Sequence, residues 1–381
     1  MRRCLSLFFS IYLVLGSVSV TNAQFGDIIC ASSQDNTTKG EDHYCVSNRW
    51  TLIDPNRAYQ FFCVFDGHGG RVKVNKWHNT GKEKAEFAVD NFGPFLSEYL
   101  KEHIGMQNIF PEAMRYALSK IDHEMFASDD QLKKSLPKYQ MPPATFGGTT
   151  ANIILIEALR NLAGKISYLI RTANIGDSRS ILINNKGVRQ LSYDHCPSRQ
   201  DELERIIDCG QVVVPIDFTG SPMYEKECIR TINHKTIHQY LDMAKETKVP
   251  SAYRMYCSLE GELARSDAWK LSRYPSLSTS RSLGDTKFKY QSNGALIGDP
   301  EITSEPLDTS TDSIVVLATD GIWDVMDNLA VMKIASAILQ GAKSCSAVAT
   351  DLLQEALNRR ALLKRFDDAT AMVLRLVASK D

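Results

Sequence analysis

Phe61-Phe62-Cys63-Val64-Phe65 runs without a polar break into Asp66-Gly67-His68-Gly69-Gly70. A short apolar run closed by Asp and Gly reads as a buried strand. The same figure recurs elsewhere in the chain. Ile314-Val315-Val316-Leu317-Ala318 leads into Thr319-Asp320-Gly321-Ile322-Trp323-Asp324, Asp367-Asp368 stands just before the run from Ala369 to Val377, and Glu41-Asp42 stands just before Tyr44-Cys45-Val46. Asp-Gly is a common turn dipeptide, so any one of these sites also suits a simple turn. As a set, they put carboxylates where strand ends can bring them together. Converging carboxylates repel one another unless a cation neutralises them. Hard oxygen donors with few His or Cys beside them suit Mg²⁺ or Mn²⁺ rather than Zn²⁺ or copper.

Around these strands the pattern alternates in blocks. Lys82 to Lys101 reads as a helix, with Ala85, Val89, Phe92, Leu96 and Leu100 at three- and four-residue spacing, and Pro94 as a point where it breaks or kinks. Pro111 to Phe126 reads as a second amphipathic helix with proline in its first turn. Ala127 to Pro143 is polar and proline-bearing and reads as a loop. Strands follow at Thr149 to Ile156, Ser167 to Ala173 and Ser180 to Asn184. Arg199 to Cys209 reads as a short helix stopped by Gly210. One helix is expected around Thr236 to Lys248, then strand Ser313 to Ala318, helices Ala330 to Leu339 and Ala347 to Arg360, and a last strand from Ala369 to Val377. Two blocks of strands, each with paired helices, imply an α+β sandwich with sheets face to face and helices outside. No linker divides the chain, so residues 24–381 are expected to form one domain carrying an insertion.

The 381 residues and net charge of −1 give no reason to expect nucleic acid or an anionic membrane as partner. Met1-Arg2-Arg3, the apolar stretch Leu5 to Val20 and the small residues before Ala23 have the layout of a secretory signal peptide over residues 1–23. The expectation is therefore delivery to the secretory pathway, with no membrane contact unless that segment stays uncleaved as an anchor. Eight of the nine Cys lie beyond it. Their even count permits disulfides, but their scatter does not resemble a small disulfide scaffold. Asn36-Thr37-Thr38 is a glycosylation sequon, meaningful only in that pathway.

Taken in order, the motifs are Glu41-Asp42, Asp66-Gly67-His68-Gly69-Gly70, Phe146-Gly147-Gly148-Thr149-Thr150-Ala151, Ala173-Asn174-Ile175-Gly176-Asp177-Ser178-Arg179, Leu191-Ser192-Tyr193-Asp194-His195, Ser278-Thr279-Ser280-Arg281-Ser282-Leu283-Gly284-Asp285, Asp320-Gly321-Ile322-Trp323-Asp324 and Asp367-Asp368-Ala369-Thr370. The chain resembles the protein phosphatase 2C family, the metal-dependent Ser/Thr protein phosphatases, from about Ile28 to Leu376. The resemblance implies two antiparallel sheets flanked by helices, with a two-metal cleft at one edge. By position, Asp66 would bridge both metals. Glu41 and the carbonyl of Gly67 would serve one, and Asp320 and Asp367 the other. Asp42 would hold metal-bound water. Asp177 and Asp324, with Asp320, match a weaker third metal site, and His68 matches the general acid. The implied reaction is hydrolysis of phosphoserine and phosphothreonine in phosphoproteins, by a monomer, through water activated between two Mg²⁺ or Mn²⁺ ions. Two cations about 3.5–4 Å apart clamp the attacking and leaving oxygens, and a serine alkoxide needs a proton donor. Arg179, Arg281 and Asp285 read as structural.

Two departures from the family pattern matter. Where many relatives carry a phosphate-holding Arg or Lys, four residues before the glutamate, this chain has Thr37, which leaves Lys39 as the candidate. Residues 211–276 are a long insertion where relatives have a short flap. An enlarged flap would read protein substrates or a regulator; a tolerated surface insertion is the plain alternative. The competing function is a catalytically silent member of the fold that binds phosphoproteins or a kinase. Other phosphate and hydrolytic chemistries lack their motifs: no Cys is followed by Arg at the sixth position, and no P-loop, His-Glu-x-x-His or Gly-x-Ser-x-Gly occurs.

Overall fold

The computed structural model describes residues 18–20, 28–35, 38–47, 49–69, 71–74, 76–135, 147–215, 253–256, 276–363 and 367–378. Of the signal-like residues 1–23 only Val18–Val20 are described, as a strand; the rest of that segment, Asn36 and Thr37 of the sequon, and the Thr236 to Lys248 helix lie outside them. In chain order the strands are β1 (Val18–Val20), β2 (Ile28–Asp35), β3 (Asp42–Val46), β4 (Thr51–Asp54), β5 (Arg57–His68), β6 (Arg71–Val74) and β7 (Lys76–Asn79). After helices α1 (Thr80–Glu102) and α2 (Ile109–Ser135) come β8 (Gly148–Thr149), β9 (Ala151–Arg160), β10 (Ile166–Ile175), β11 (Arg179–Asn184) and β12 (Gly187–Gln190). Helix α3 (Gln200–Asp208) precedes β13 (Val212–Pro215), β14 (Tyr253–Tyr256), β15 (Ser276–Leu277) and β16 (Leu283–Gly284). The remaining strands are β17 (Glu301–Leu307), β18 (Ser313–Ala318) and β19 (Ala369–Leu376).

Two antiparallel sheets carry the molecule. One runs β1-β2-β19-β18-β11-β12, and the other runs β16-β8-β5-β9-β10-β17 with β3 and β4 also paired to β5. Alternate residues of each apolar run enter different layers, which is why the runs have no polar break. In β5, Phe62 and Val64 face the other sheet while Cys63 and Phe65 face α1 and α2. In β18, Val315 and Leu317 face the inter-sheet core, while Ile314, Val316 and Ala318 face the helices of the C-terminal half. Strands buried on both faces lose the polar alternation of a one-sided sheet, and each large side chain so buried contributes about 1.5–3 kcal/mol. The result is the expected helix–sheet–sheet–helix layering.

Two expectations from the sequence fail. Pro94 does not break helix α1, which runs on to Glu102; Phe92, Leu96 and Leu100 on either side of it are buried, and that packing outweighs one missing backbone donor. The segment after Phe126 is not a loop from Ala127, because α2 continues to Ser135. Buried Asp129 holds that turn, accepting from Lys84 Nζ at 2.7 Å and Thr286 Oγ1 at 2.6 Å. The described ends of the insertion, β13, β14 and β15, pair into a small antiparallel sheet, whose Val213 and Met255 pack with Leu203 and Ile206 of α3.

Candidate active site

The β3–β5 register sets Asp42 directly opposite Asp66. One residue further along, the Gly67 N–H donates to the Glu41 carbonyl at 3.2 Å. The first turn of α1 closes onto this corner through glycine. A Cβ added at Gly67 would meet the Gly81 carbonyl oxygen at 2.4 Å, and one at Gly81 would meet Glu41 Oε1 at 2.7 Å and the His68 N–H nitrogen at 2.6 Å. Only bare backbone admits such an approach. Glu41 and Asp42 are both buried.

The second sheet supplies the other carboxylates. Asp320 opens the four-residue helix Asp320–Trp323 directly after β18, and Asp324 closes it. Asp177 lies in the tight connection between β10 and β11, beside Gly176 at φ +96°. Asp367 and Asp368 sit just before β19, yet their fates differ. Asp368 is buried and accepts the backbone N–H groups of Thr38, Lys39 and Glu41 at 3.1, 2.8 and 2.8 Å, clasping the loop that delivers Glu41. Asp367 is half-buried, and its carboxylate meets Lys39 Nζ at 2.6 Å. Lys39, expected as a phosphate ligand, is thus engaged with a carboxylate of the cleft. Burial alone would lower its pKa, but Asp367, with Asp66 and Asp320 behind it, pushes it up.

Asp42 bridges the sheets. Its Oδ2 accepts from Thr319 Oγ1 at 2.8 Å and Thr370 Oγ1 at 2.9 Å. Burial, with Asp368 and Asp367 nearby, raises its carboxyl to about 7 despite those hydroxyls. Asp66 and Asp320 go well above the ordinary carboxylate range. Burial acts first, then Asp320, Asp42, Asp367 and Asp177 act on Asp66, and Asp367, Asp324 and Asp177 act on Asp320. Asp177 is raised to about 7 by burial, Asp194 and Asp324. A small cavity beside them is lined by Asp177, Arg179, Asp194, Asp320, Trp323 and Asp324 among others. Asp42, Asp66, Asp177, Asp320, Asp324 and Asp367, all expected from the sequence, therefore share one electrostatic field, although they come from five separate stretches of chain.

Among the described residues, no three His, Cys, Asp or Glu side chains stand close enough to hold a metal ion as a ready-made set. The donor chemistry nevertheless fits hard divalent cations: oxygen ligands, and mutual repulsion that a cation would relieve.

His68 meets a partner that sequence reasoning placed among structural residues. Its Nε2 lies 2.6 Å from Asp285 Oδ2. Asp285 is buried, adopts a left-handed backbone at φ 48°, and accepts Ser282 Oγ at 2.6 Å on the same oxygen. Burial would lower the His68 pKa, but Asp285 overcomes this and raises it. No sequence signal pointed to Asp285: its positive φ, uncommon for a non-glycine residue, is not legible without coordinates. Glu202 of α3 anchors the segment leading to Asp285, accepting from Arg281 Nη2, Ser280 Oγ and Arg205 Nη2, each at 2.6 Å. Arg281 is thus engaged with buried Glu202. Arg179 pairs with Asp194 and lies 5.0 Å from the Trp323 ring centroid.

The family profile for Protein phosphatase 2C matches residues 29–220 and 256–362. The "Probable protein phosphatase 2C 35" of Arabidopsis thaliana is 26% identical over 372 residues, covering 95% of this chain and 87% of that protein. "Protein phosphatase 2C 1" of Paramecium tetraurelia is 31% identical over 152 residues, 40% of this chain and 43% of that protein. Among solved structures, a serine-threonine phosphatase 2C from Toxoplasma gondii aligns with a TM-score of 0.61 at 18% identity, covering 95% of this chain and 98% of that one. A C. elegans sex determining protein aligns with a TM-score of 0.56 at 19% identity over 92% of this chain and 65% of that one. At these identities the structural matches speak for the fold.

Proposed function

The chain belongs to the protein phosphatase 2C family of protein serine/threonine phosphatases, and from that premise we propose how its own residues carry out phosphomonoester hydrolysis. Asp66, Glu41 and the Gly67 carbonyl would hold one divalent cation; Asp66, Asp320 and Asp367 would hold a second; Asp177 and Asp324, with Asp320, would form a weaker third position. Mg²⁺ or Mn²⁺ suits all three. When bound, such ions neutralise the carboxylates, activate water for attack on phosphorus and polarise the phosphoryl oxygens. Asp42, tied to Thr319 and Thr370, keeps the two sheets at a fixed separation beneath the ligands. Asp368 holds the Thr38–Glu41 loop so that Glu41 and Lys39 face the cleft.

His68 donates the proton that the departing serine or threonine oxygen requires, and Asp285 fixes the ring and favours its protonated form. Lys39, paired with Asp367, is the candidate among the described residues to meet substrate phosphate. Phosphoproteins are the substrates in this reading and the enzyme acts as a monomer. Entry into the secretory pathway belongs to the same proposal and is supported by the Met1–Ala23 pattern alone.

The observation that carries the reading is the shared field of Asp66 and Asp320. Asp66 lies in β5 of one sheet and Asp320 just after β18 of the other, and Asp320 pushes the Asp66 carboxyl upward. The test is release of phosphate from a phosphothreonine peptide by the purified chain with Mn²⁺, with and without EDTA. Metal-dependent release, absent in Asp66→Asn, is expected. Activity no greater than that of Asp66→Asn would favour a silent phosphoprotein-binding member of the fold.

A further inference from the structure

We propose that Cys45 and Cys63 are a disulfide-forming pair, converted by a small-molecule disulfide oxidant of the oxidised-glutathione class into an intrachain cross-link between β3 and β5. The strand register sets the two residues directly opposite each other. Ser47 N donates to Phe61 O at 2.9 Å and Gly67 N to Glu41 O at 3.2 Å, and counting in twos from either bond reaches the Cys45–Cys63 pair. It therefore occupies a hydrogen-bonded position of the ladder, where opposed α-carbons are about 5.5 Å apart. That spacing falls within the roughly 4.4–6.8 Å found across disulfides.

Both side chains leave the sheet on one face. Cys63 belongs to the core cluster that includes Phe65, Ala88 and Phe92, and Cys45 packs against that cluster. Burial pushes the Cys63 thiol up first, and the Cys45 thiol adds to that shift. Among the described cysteines no other pair is so placed. Cys30 and Cys345 are neighbours, but Cys30 belongs to the inter-sheet core and Cys345 to the helix side. The Cys345 thiol points at the Ile29 carbonyl, 3.7 Å away, and the Cys196 thiol meets Ser198 Oγ at 3.4 Å.

Cys45 is the more accessible thiol, whereas Cys63 is wholly buried and burial pushes its thiol up. Cys45 therefore attacks the oxidant first. Its thiolate displaces one thiol and leaves a mixed disulfide on Cys45. Cys63 then attacks the Cys45 sulfur and expels the second thiol. The two protein thiols lose two electrons and two protons, and the oxidant's S–S bond accepts them and departs as two thiols. The new bond lies three positions along each strand from Asp42 and Asp66, so it fixes the register that sets those carboxylates face to face.

The test uses the full-length chain, reduced, then equilibrated with oxidised glutathione and blocked with N-ethylmaleimide. Trypsin cuts after Lys39, Arg49, Arg57 and Arg71, leaving Cys45 in the peptide Gly40–Arg49 and Cys63 in Ala58–Arg71. The expected product is these two peptides joined, separating on reduction, with a protein that melts higher oxidised than reduced. In Cys45→Ala the joined species and the oxidation-dependent rise in melting temperature should both vanish. Recovery of both wild-type peptides carrying maleimide or glutathione, or of either joined to a different cysteine, overturns the proposal. The peptide map of the wild-type chain decides this even if the variant fails to fold, and it needs no phosphatase activity.

Discussion

Replacing Gly148 by alanine is the sharpest probe of the proton donor. Gly148 pairs with His68 across the β5–β8 ladder, so the added methyl has little freedom. Its Cβ would stand 2.1 Å from Asp285 Oδ2 and 2.7 Å from His68 Nε2. Carbon and oxygen need roughly 3.3–3.6 Å even for a weak contact, so the Asp285 carboxylate must retreat by about 1 Å or more. Its bond to His68 is 2.6 Å long and does not survive that displacement as a hydrogen bond. Losing a charge-assisted bond of this kind costs about 1.5–3 kcal/mol of stability. The catalytic effect depends on the leaving group. A positioned general acid contributes about 10²–10⁴-fold, so a displaced His68 should lose on the order of 10–100-fold in kcat on a phosphothreonine peptide. With p-nitrophenyl phosphate, whose leaving group departs without protonation, the loss should be only a few-fold. Steady-state kinetics on both substrates at saturating Mn²⁺ make the comparison, with His68→Ala and Asp285→Asn alongside. Equal losses on the two substrates, or a His68→Ala protein that no longer binds metal, would refute the proton-donor assignment.

Asp66→Asn should reduce turnover to background and abolish the rise in melting temperature on adding Mn²⁺. Without divalent ions it should melt above wild type, because one of several repelling anions is gone; a lower metal-free melting temperature would contradict the shared field. Glu202 supplies the pH test. Burial alone would raise its carboxyl, but Arg281, Ser280 and Arg205 hold it at about 2 against an ordinary 4.5. The folded value lies below the unfolded one, so its contribution is complete above about pH 4.5 and is lost as pH falls toward about 2. That gap is worth about 3 kcal/mol at neutral pH. Glu202→Gln should therefore lower stability at pH 7 and weaken the fall between pH 4.5 and 2, as read by urea denaturation; an unchanged acid limb would count against it. Leu352→Ala, in the helix Cys345–Leu363 and fully buried against the six-stranded sheet, should cost about 2–5 kcal/mol by the same assay, with KM unchanged.

Local pattern carried much of this protein. Phe61 to Phe65, Ile314 to Ala318 and the stretch after Asp368 are apolar throughout because each strand is buried on two faces, a property that any neighbour of the right kind satisfies. The carboxylates at their ends could be named for the same reason: a strand end is a local event. Partner choice is not local. His68 and Asp285 are 217 positions apart, and nothing in either neighbourhood specifies the other. Asp367 and Asp368 are adjacent and chemically identical, yet one is buried as a clasp for three backbone amides and the other faces Lys39 in the cleft. Pro94 and Asp129 teach the same lesson for helices, since packing against the sheet and the buried Lys84 and Thr286 contacts overrode the local signals to stop. Sequence alone determined which segments are apolar enough to be strands and where acidic groups leave them. Tertiary structure decided which acidic group meets which cation, hydroxyl or imidazole, because those contacts depend on distances between segments that the chain order does not encode.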